Sequence, residues 1–154
     1  LRGVGFPYES LASTLLFSAV NEENSYIVGH LGDGVIGECR EGKYELLSKP
    51  DNGEFANTTY FTTSASALEH LRIYQGETTE GFILMSDGSA ESLWHKTTQS
   101  FAPATGKFYE WLAIYPSKIV RQAIKKALRE VVCLKTTDDC SVAILQIVKT
   151  KNNK

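Results

Sequence analysis

With 154 residues, 42% of them hydrophobic and 22% charged, the chain can bury a sizeable single core, which excludes a disordered or fibrous protein. A net charge of −2 leaves no electrostatic footprint for nucleic acid, the only basic tail being Lys149-Thr150-Lys151 with Lys154. No apolar run approaches the ~20 residues of a membrane span and the start has no signal-peptide layout, so a cytoplasmic protein without a membrane span is expected.

Leu11 to Val20 is small, apolar and β-prone, which predicts a buried strand, and Asn21 to Asn24 supplies a polar turn. Tyr26 to Leu31 then returns as a second strand, antiparallel to the first. Gly32-Asp33-Gly34 ends this hairpin, Val35 to Cys39 starts a third strand, Glu41-Gly42 turns again, and Lys43 to Leu47 is a fourth. The expected arrangement is a β-meander. Turn formers cluster at Pro50, Asp51-Asn52-Gly53 and Glu54, which predicts an exposed flap over 48–57. Thr58 to Thr63 and Leu71 to Tyr74 read as further strands.

Phe82 to Met85 is an apolar run of the kind expected for a strand covered on both faces, and it stops at Ser86-Asp87-Gly88. Ala90, Leu93 and Trp94 have the spacing of one helical face, which places Glu91 about one turn beyond Asp87. Lys96 to Ala104 resists assignment. A helix is predicted over Phe108 to Ile114, broken by Pro116-Ser117, and a longer one over Lys118 to Val132. That second helix carries Val120, Ala123, Ile124, Ala127, Leu128 and Val131 on one face. Lys118, Arg121, Lys125, Lys126 and Arg129 lie mostly opposite, as on a solvated face. Ser141 to Val148 is the final strand. Cys39, Cys133 and Cys140 form no C-x-x-C pair and read as reduced packing residues, and His30, His70 and His95 lack the spacing of a helical zinc pair.

Acidic residues stand at three strand junctions: Asp33, Asp87 and the pair Asp138-Asp139. Singly, each is ordinary turn or cap chemistry, because Asp accepts bonds from free backbone N–H groups. Taken together they offer oxygen ligands on the ends of buried strands, the donors that Mg²⁺ and Mn²⁺ prefer.

Four pieces, in this order, resemble the metal-dependent protein phosphatase 2C family, especially its compact bacterial members, over nearly the whole chain. Ala12-Ser13-Thr14-Leu15-Leu16 is similar to a small-Thr-Thr-Leu strand of the family, and Gly29-His30-Leu31-Gly32-Asp33-Gly34 to its Gly-Asp hairpin end. Ile83 to Gly88 resembles its apolar strand ending in Asp-Gly, with Glu91 where an acid often follows, and Asp138-Asp139-Cys140-Ser141-Val142 resembles its last acidic motif. The resemblance implies that Asp87 and Asp138 are direct ligands of a catalytic metal pair. It assigns Asp33 and Glu91, sharing Asp87, to an additional metal site, sets Gly88 within the metal group, and leaves Asp139 outside the direct ligands.

The implied activity is Ser/Thr phosphoprotein hydrolysis by a water activated on Mn²⁺ or Mg²⁺, without a covalent phosphoenzyme. Its substrates would be products of a Ser/Thr kinase system. The family's earlier Asp-Gly motif and phosphate-binding Arg have no counterpart ahead of Ala12, and the chain starts without Met. The expectation is therefore the C-terminal portion of a single phosphatase domain, with weak or no activity alone; the alternative is a catalytically silent binding module. The expected fold is α+β, an antiparallel β-sandwich flanked by helices, truncated on its N-terminal side. An exposed sheet edge or apolar face would then favour a homo-oligomer.

Overall fold

In the computed structural model, which describes residues 5, 7–51 and 59–148, the central apolar run forms strand β6 (Gly81–Met85), all five residues of which are buried. A strand buried on both faces needs an apolar layer above and below it. Sheet neighbours β3 (Val35–Arg40) and β9 (Val142–Gln146) flank β6, and β4 (Lys43–Ser48) lies outside β3, all antiparallel. A second antiparallel sheet has the order β1 (Leu15–Val20), β2 (Ser25–Leu31), β5 (Arg72–Glu77).

Alternate residues of β6 serve the two layers, as the period of a strand requires. Phe82 and Leu84 pack between the sheets with Val28 and Ile36, and Tyr26 meets the Phe82 ring edge-on at 5.0 Å. Ile83 and Met85 face the other way, into a core with Val35, Leu93 and Phe108. That side is covered by helices α2 (Asp87–Leu93), α3 (Pro103–Ile114) and α4 (Ser117–Ala127), the last continued by a π turn over Leu128–Val132. Each such side chain, fully buried, contributes about 1.5–3 kcal/mol. The fold is thus the expected antiparallel sandwich with helices. The outer face of the three-stranded sheet leaves Leu15, Ile27 and Ile73 exposed. None of the described helices is long and apolar enough to cross a membrane.

Several local expectations are corrected. The meander is split: β2 and β3, consecutive in sequence, belong to different sheets, so Gly32-Asp33-Gly34 is a crossover rather than a hairpin end. The β-prone stretch 58–63 holds only an isolated bridge at Thr59 and a turn at Thr62-Thr63, because Thr62 N–H bonds the Ser13 carbonyl instead of a ladder partner; residue 58 lies outside the described residues. A four-residue helix, α1 (Ala67–His70), precedes β5. The first strand starts at Leu15 after a 3-10 turn over Tyr8–Leu11. Trp94, expected on the helical face, begins a two-residue strand, β7 (Trp94–His95), paired with β8 (Ser100–Phe101). Helix α3 starts at Pro103, where the fixed φ of proline suits the first helical position.

One polar cluster interrupts the inter-sheet layer. His30 is fully buried, and its Nδ1 lies 2.7 Å from Ser48 Oγ and accepts from Arg72 Nη2 at 3.0 Å. Tyr74 donates to Ser48 Oγ at 3.0 Å, and Arg72 Nη1 donates to the Lys49 carbonyl at 2.7 Å. Burial, reinforced by the Arg72 charge, holds the imidazole down to a pKa of about 3. An unfolded histidine titrates near 6.5, so between about pH 6.5 and 3 the unfolded chain binds a proton that the folded chain refuses. Stability owed to neutral His30 is present above that window and falls by on the order of 1 kcal/mol per pH unit as the pH drops through it. Urea unfolding of wild type and His30→Gln at pH 7 and pH 4.5 should show the gap between them shrinking at the lower pH; a constant gap would contradict this assignment.

Candidate active site

The site begins where β6 ends. Ser86 occupies the N-cap position of α2 without capping it; its hydroxyl donates to the Asp139 carbonyl at 2.9 Å and accepts from Ser141 N–H at 3.0 Å. Its own N–H donates to the Ser141 carbonyl at 3.1 Å. Three bonds therefore fasten the end of β6 to the approach of β9, and with it Asp138 beside Asp87. Asp87 is the first helical residue, and its carboxylate accepts from the Gly88 N–H. Gly88 permits the closeness of the two segments: a Cβ there would stand 3.1 Å from Asp138 Cβ and 2.9 Å from the Asp139 carbonyl oxygen.

Asp33 reaches the same region from the crossover between β2 and β3. Thr59 Oγ1 donates to its Oδ2 at 2.6 Å, and Asp51 N–H holds the Gly32 carbonyl at 3.0 Å. Glu91 follows Asp87 one turn along α2. The Asp87 carboxyl titrates above its usual range, chiefly because burial disfavours its charge; the Gly88 N–H opposes this, and the charges of Asp33, Asp138 and Glu91 add to it. Three carboxylates thus act on Asp87.

Asp33, Asp87 and Glu91 line an open cavity of about 770 Å³, together with Pro50, Trp94 and the β7–β8 turn that carries Lys96, Thr97 and Thr98. Asp138 is exposed and stands outside that lining, close against Gly88. The flap expected over 48–57 contributes Pro50 to the cavity; its residues 52–57 lie outside the described residues. Sequence reading passed over Ser86, Thr59 and Lys96. The only signal for Ser86 was its place between a buried strand and an acid, and Lys96 lay in a stretch without periodicity.

An acid whose folded pKa is raised costs stability once it ionises, so this cost is absent below its unfolded pKa and sets in as the pH rises through the folded value. Asp87→Asn should therefore raise the melting temperature of the metal-free chain at pH 7 by about 1–2 °C, the size expected for a solvent-screened repulsion. A lower melting temperature would contradict the cost assigned to the buried Asp87 charge.

The donor set fits a hard divalent cation by chemistry: every candidate is a carboxylate oxygen, and their repulsion is what a cation would relieve. Among the described residues no three His, Cys, Asp or Glu side chains are already drawn to metal-holding distance. Asp87 would be the central holder, since Asp33, Glu91 and Asp138 all act on it.

The family model for protein phosphatase 2C matches residues 2–129. This covers Asp33, Asp87 and Glu91 and stops short of Asp138. A search of curated proteins finds no match. Among solved structures, the photosystem II phosphatase PBCP is similar at 14% identity, over 77% of this chain and 44% of that one, with a TM-score of 0.53. The phosphatase domain of the cell fate determinant SpoIIE from Bacillus subtilis is similar at 17% identity, over 90% of this chain and 60% of that one, with a TM-score of 0.50. At such identities the likeness concerns the fold, and the chain spans less than two thirds of either structure.

Proposed function

The chain belongs to the protein phosphatase 2C family, and from that membership and the convergence of its acids on Asp87 we propose that it is the metal-binding part of a Ser/Thr phosphoprotein phosphatase domain. The observation that carries this reading is the placing of Asp87 at the end of the most buried strand, where it lines one cavity with Asp33 and Glu91 while Asp138 lies close against Gly88. Asp87, Asp138, Asp33 and Glu91 would hold Mn²⁺ or Mg²⁺, with the Gly88 backbone beside them. A bound pair of such ions neutralises phosphoryl oxygens and acidifies a bound water. The protein's part is positional: β6 and β9 fix where Asp87 and Asp138 stand, and Ser86 fastens the two strand ends. Lys96 sets a positive charge on the cavity rim, the sign a phosphate monoester requires.

The substrates of this reading are phosphoproteins made by a Ser/Thr kinase system. A cytoplasmic setting is part of the same reading. The test is Mn²⁺-dependent hydrolysis of p-nitrophenyl phosphate and of phosphoserine, phosphothreonine and phosphotyrosine peptides. It is run on the full-length product of its gene, with the present chain alongside. Turnover on the first two peptides, abolished by EDTA and restored by Mn²⁺, is expected of the full-length product. Silence toward every substrate would leave the catalytically silent binding module as the correct reading.

A further inference from the structure

Cys133 and Cys140 were expected to be packing residues, yet the path of the chain brings the two together. The π turn that continues α4 ends at Cys133, whose N–H donates to the Leu128 carbonyl at 2.8 Å. By Cys140 the chain has turned back: Leu128 and Cys140 both pack against the core cluster that holds Val132, and both line one groove. The two thiols stand within reach of each other, because burial first, and then the Cys133 thiol beside it, pushes the Cys140 thiol up to about 11. Both are free. The pairing is set within residues 128–140 and needs no other segment of the protein.

Asp138 and Asp139 lie inside the loop that this pair would close. The Cys140 S–H donates to the Asp138 carbonyl at 3.6 Å, and the Asp138 N–H donates to Thr136 Oγ1 at 3.2 Å. On either side of Cys140 the backbone is pinned, since Ser86 Oγ donates to the Asp139 carbonyl and accepts from the Ser141 N–H. Joining the sulfurs leaves no S–H to donate to Asp138. It also draws the Cys140 side chain toward Cys133, and the resulting displacement falls on the less firmly held stretch from Thr136 to Asp138.

We infer that Cys133 and Cys140 form a reversible disulfide that acts as a redox switch on the Asp138 turn, the oxidised form holding a divalent cation more weakly than the dithiol. The effect on the cation rests on the metal-binding reading above; the disulfide does not. The oxidant is a hydroperoxide. The Cys133 sulfur attacks its terminal oxygen, the O–O bond breaks, and the thiol proton passes to the departing oxygen, leaving a sulfenic acid and water or an alcohol. The Cys140 sulfur then attacks the sulfenic sulfur; the S–S bond forms, the S–O bond breaks, and the leaving oxygen takes the Cys140 proton and departs as water. Two electrons pass from the two thiols to the peroxide, and a dithiol reductant returns them by exchange. A transient, redox-sensing disulfide is the kind a reducing compartment tolerates.

The test treats the full-length gene product, with the present chain alongside, with hydrogen peroxide, then blocks free thiols, digests with trypsin and maps the peptides by mass. Trypsin cuts after Arg129, Lys135 and Lys149, so the link joins two separate peptides, 130–135 and 136–149. That linked pair should appear within single chains of both proteins and be dissolved by dithiothreitol, while the fully buried Cys39 stays a free thiol. On oxidation the Mn²⁺ concentration that gives half of the thermal shift should rise about tenfold, the lower end of the loss for groups that support metal ligands, and should return on reduction. Cys133→Ser should respond to Mn²⁺ like reduced wild type with or without peroxide, and Cys140→Ser should likewise form no link; melts without metal establish that both are folded. Absence of the linked peptide in the full-length product, a link between chains instead of within one, or an unchanged Mn²⁺ response in fully linked protein would each overturn the proposal. A reduced wild type without any Mn²⁺ response, in a sample that still forms the link, would overturn the metal-binding reading and the switch with it, but not the disulfide.

Discussion

Asp87→Ala should lower kcat/KM of the full-length gene product by more than about a hundredfold, beyond the 10–100-fold characteristic of groups that only support metal ligands. The other three acids of the site act on Asp87, which follows the most buried strand and lines the cavity with Asp33 and Glu91. Removing it therefore takes away the group on which the others converge. Thr59→Ala, which removes only the 2.6 Å bond to Asp33, should cost far less. Steady-state kinetics on p-nitrophenyl phosphate across Mn²⁺ concentrations read the difference: the Thr59 variant should recover at high metal and the Asp87 variant should not. Recovery of Asp87→Ala would remove it from the ligand set.

The largest loss of stability is expected from Gly81→Ala. Gly81 opens β6 at φ +146°, a conformation that L side chains rarely adopt, and a Cβ there would run into the backbone carbonyl oxygen of Leu145 in β9. Neither side of that contact is a flexible side chain that could yield. Strain at φ and overpacking add, and the cost should reach about 3 kcal/mol or more. The paired control is Gly106→Ala in α3, where an added Cβ meets nothing within 4 Å and should stabilise the helix by about 0.5–1 kcal/mol. Urea unfolding of both variants should move in opposite directions. A Gly81→Ala midpoint close to wild type would mean that the register between β6 and β9, and with it the spacing of Asp87 and Asp138, is softer than the bonds at Ser86 imply.

The parts of this fold that the sequence made legible are those in which burial itself writes the pattern. Phe82 to Met85 could be read as a strand covered on both faces because apolar side chains occupy both positions of the period. The hairpin of β1 and β2 followed from a short polar turn between apolar runs. The split of the meander was not legible, since β2 and β3 carry the same alternation whether they share a sheet or sit in two. Stretch 58–63 has strand-forming residues, but tertiary partners decide strand formation more than propensity does. Asp33, Asp87, Glu91 and Asp138 were singled out, and the other three act on Asp87. The structure sets Asp138 outside the cavity that the other three line. Ser86 was passed over because a hydroxyl whose partners are 53 and 55 residues away leaves no local pattern.

The central claim, that these acids form a divalent cation site centred on Asp87, is tested most directly by thermal melts of the chain titrated with Mn²⁺, beside Asp87→Asn. A ligand that binds only the folded state raises its melting temperature with concentration. Wild type should show a rise that EDTA reverses and Asp87→Asn should show almost none, although the variant starts from the higher melting temperature without metal. An equal Mn²⁺ response in both proteins, or no response in wild type, would contradict the site.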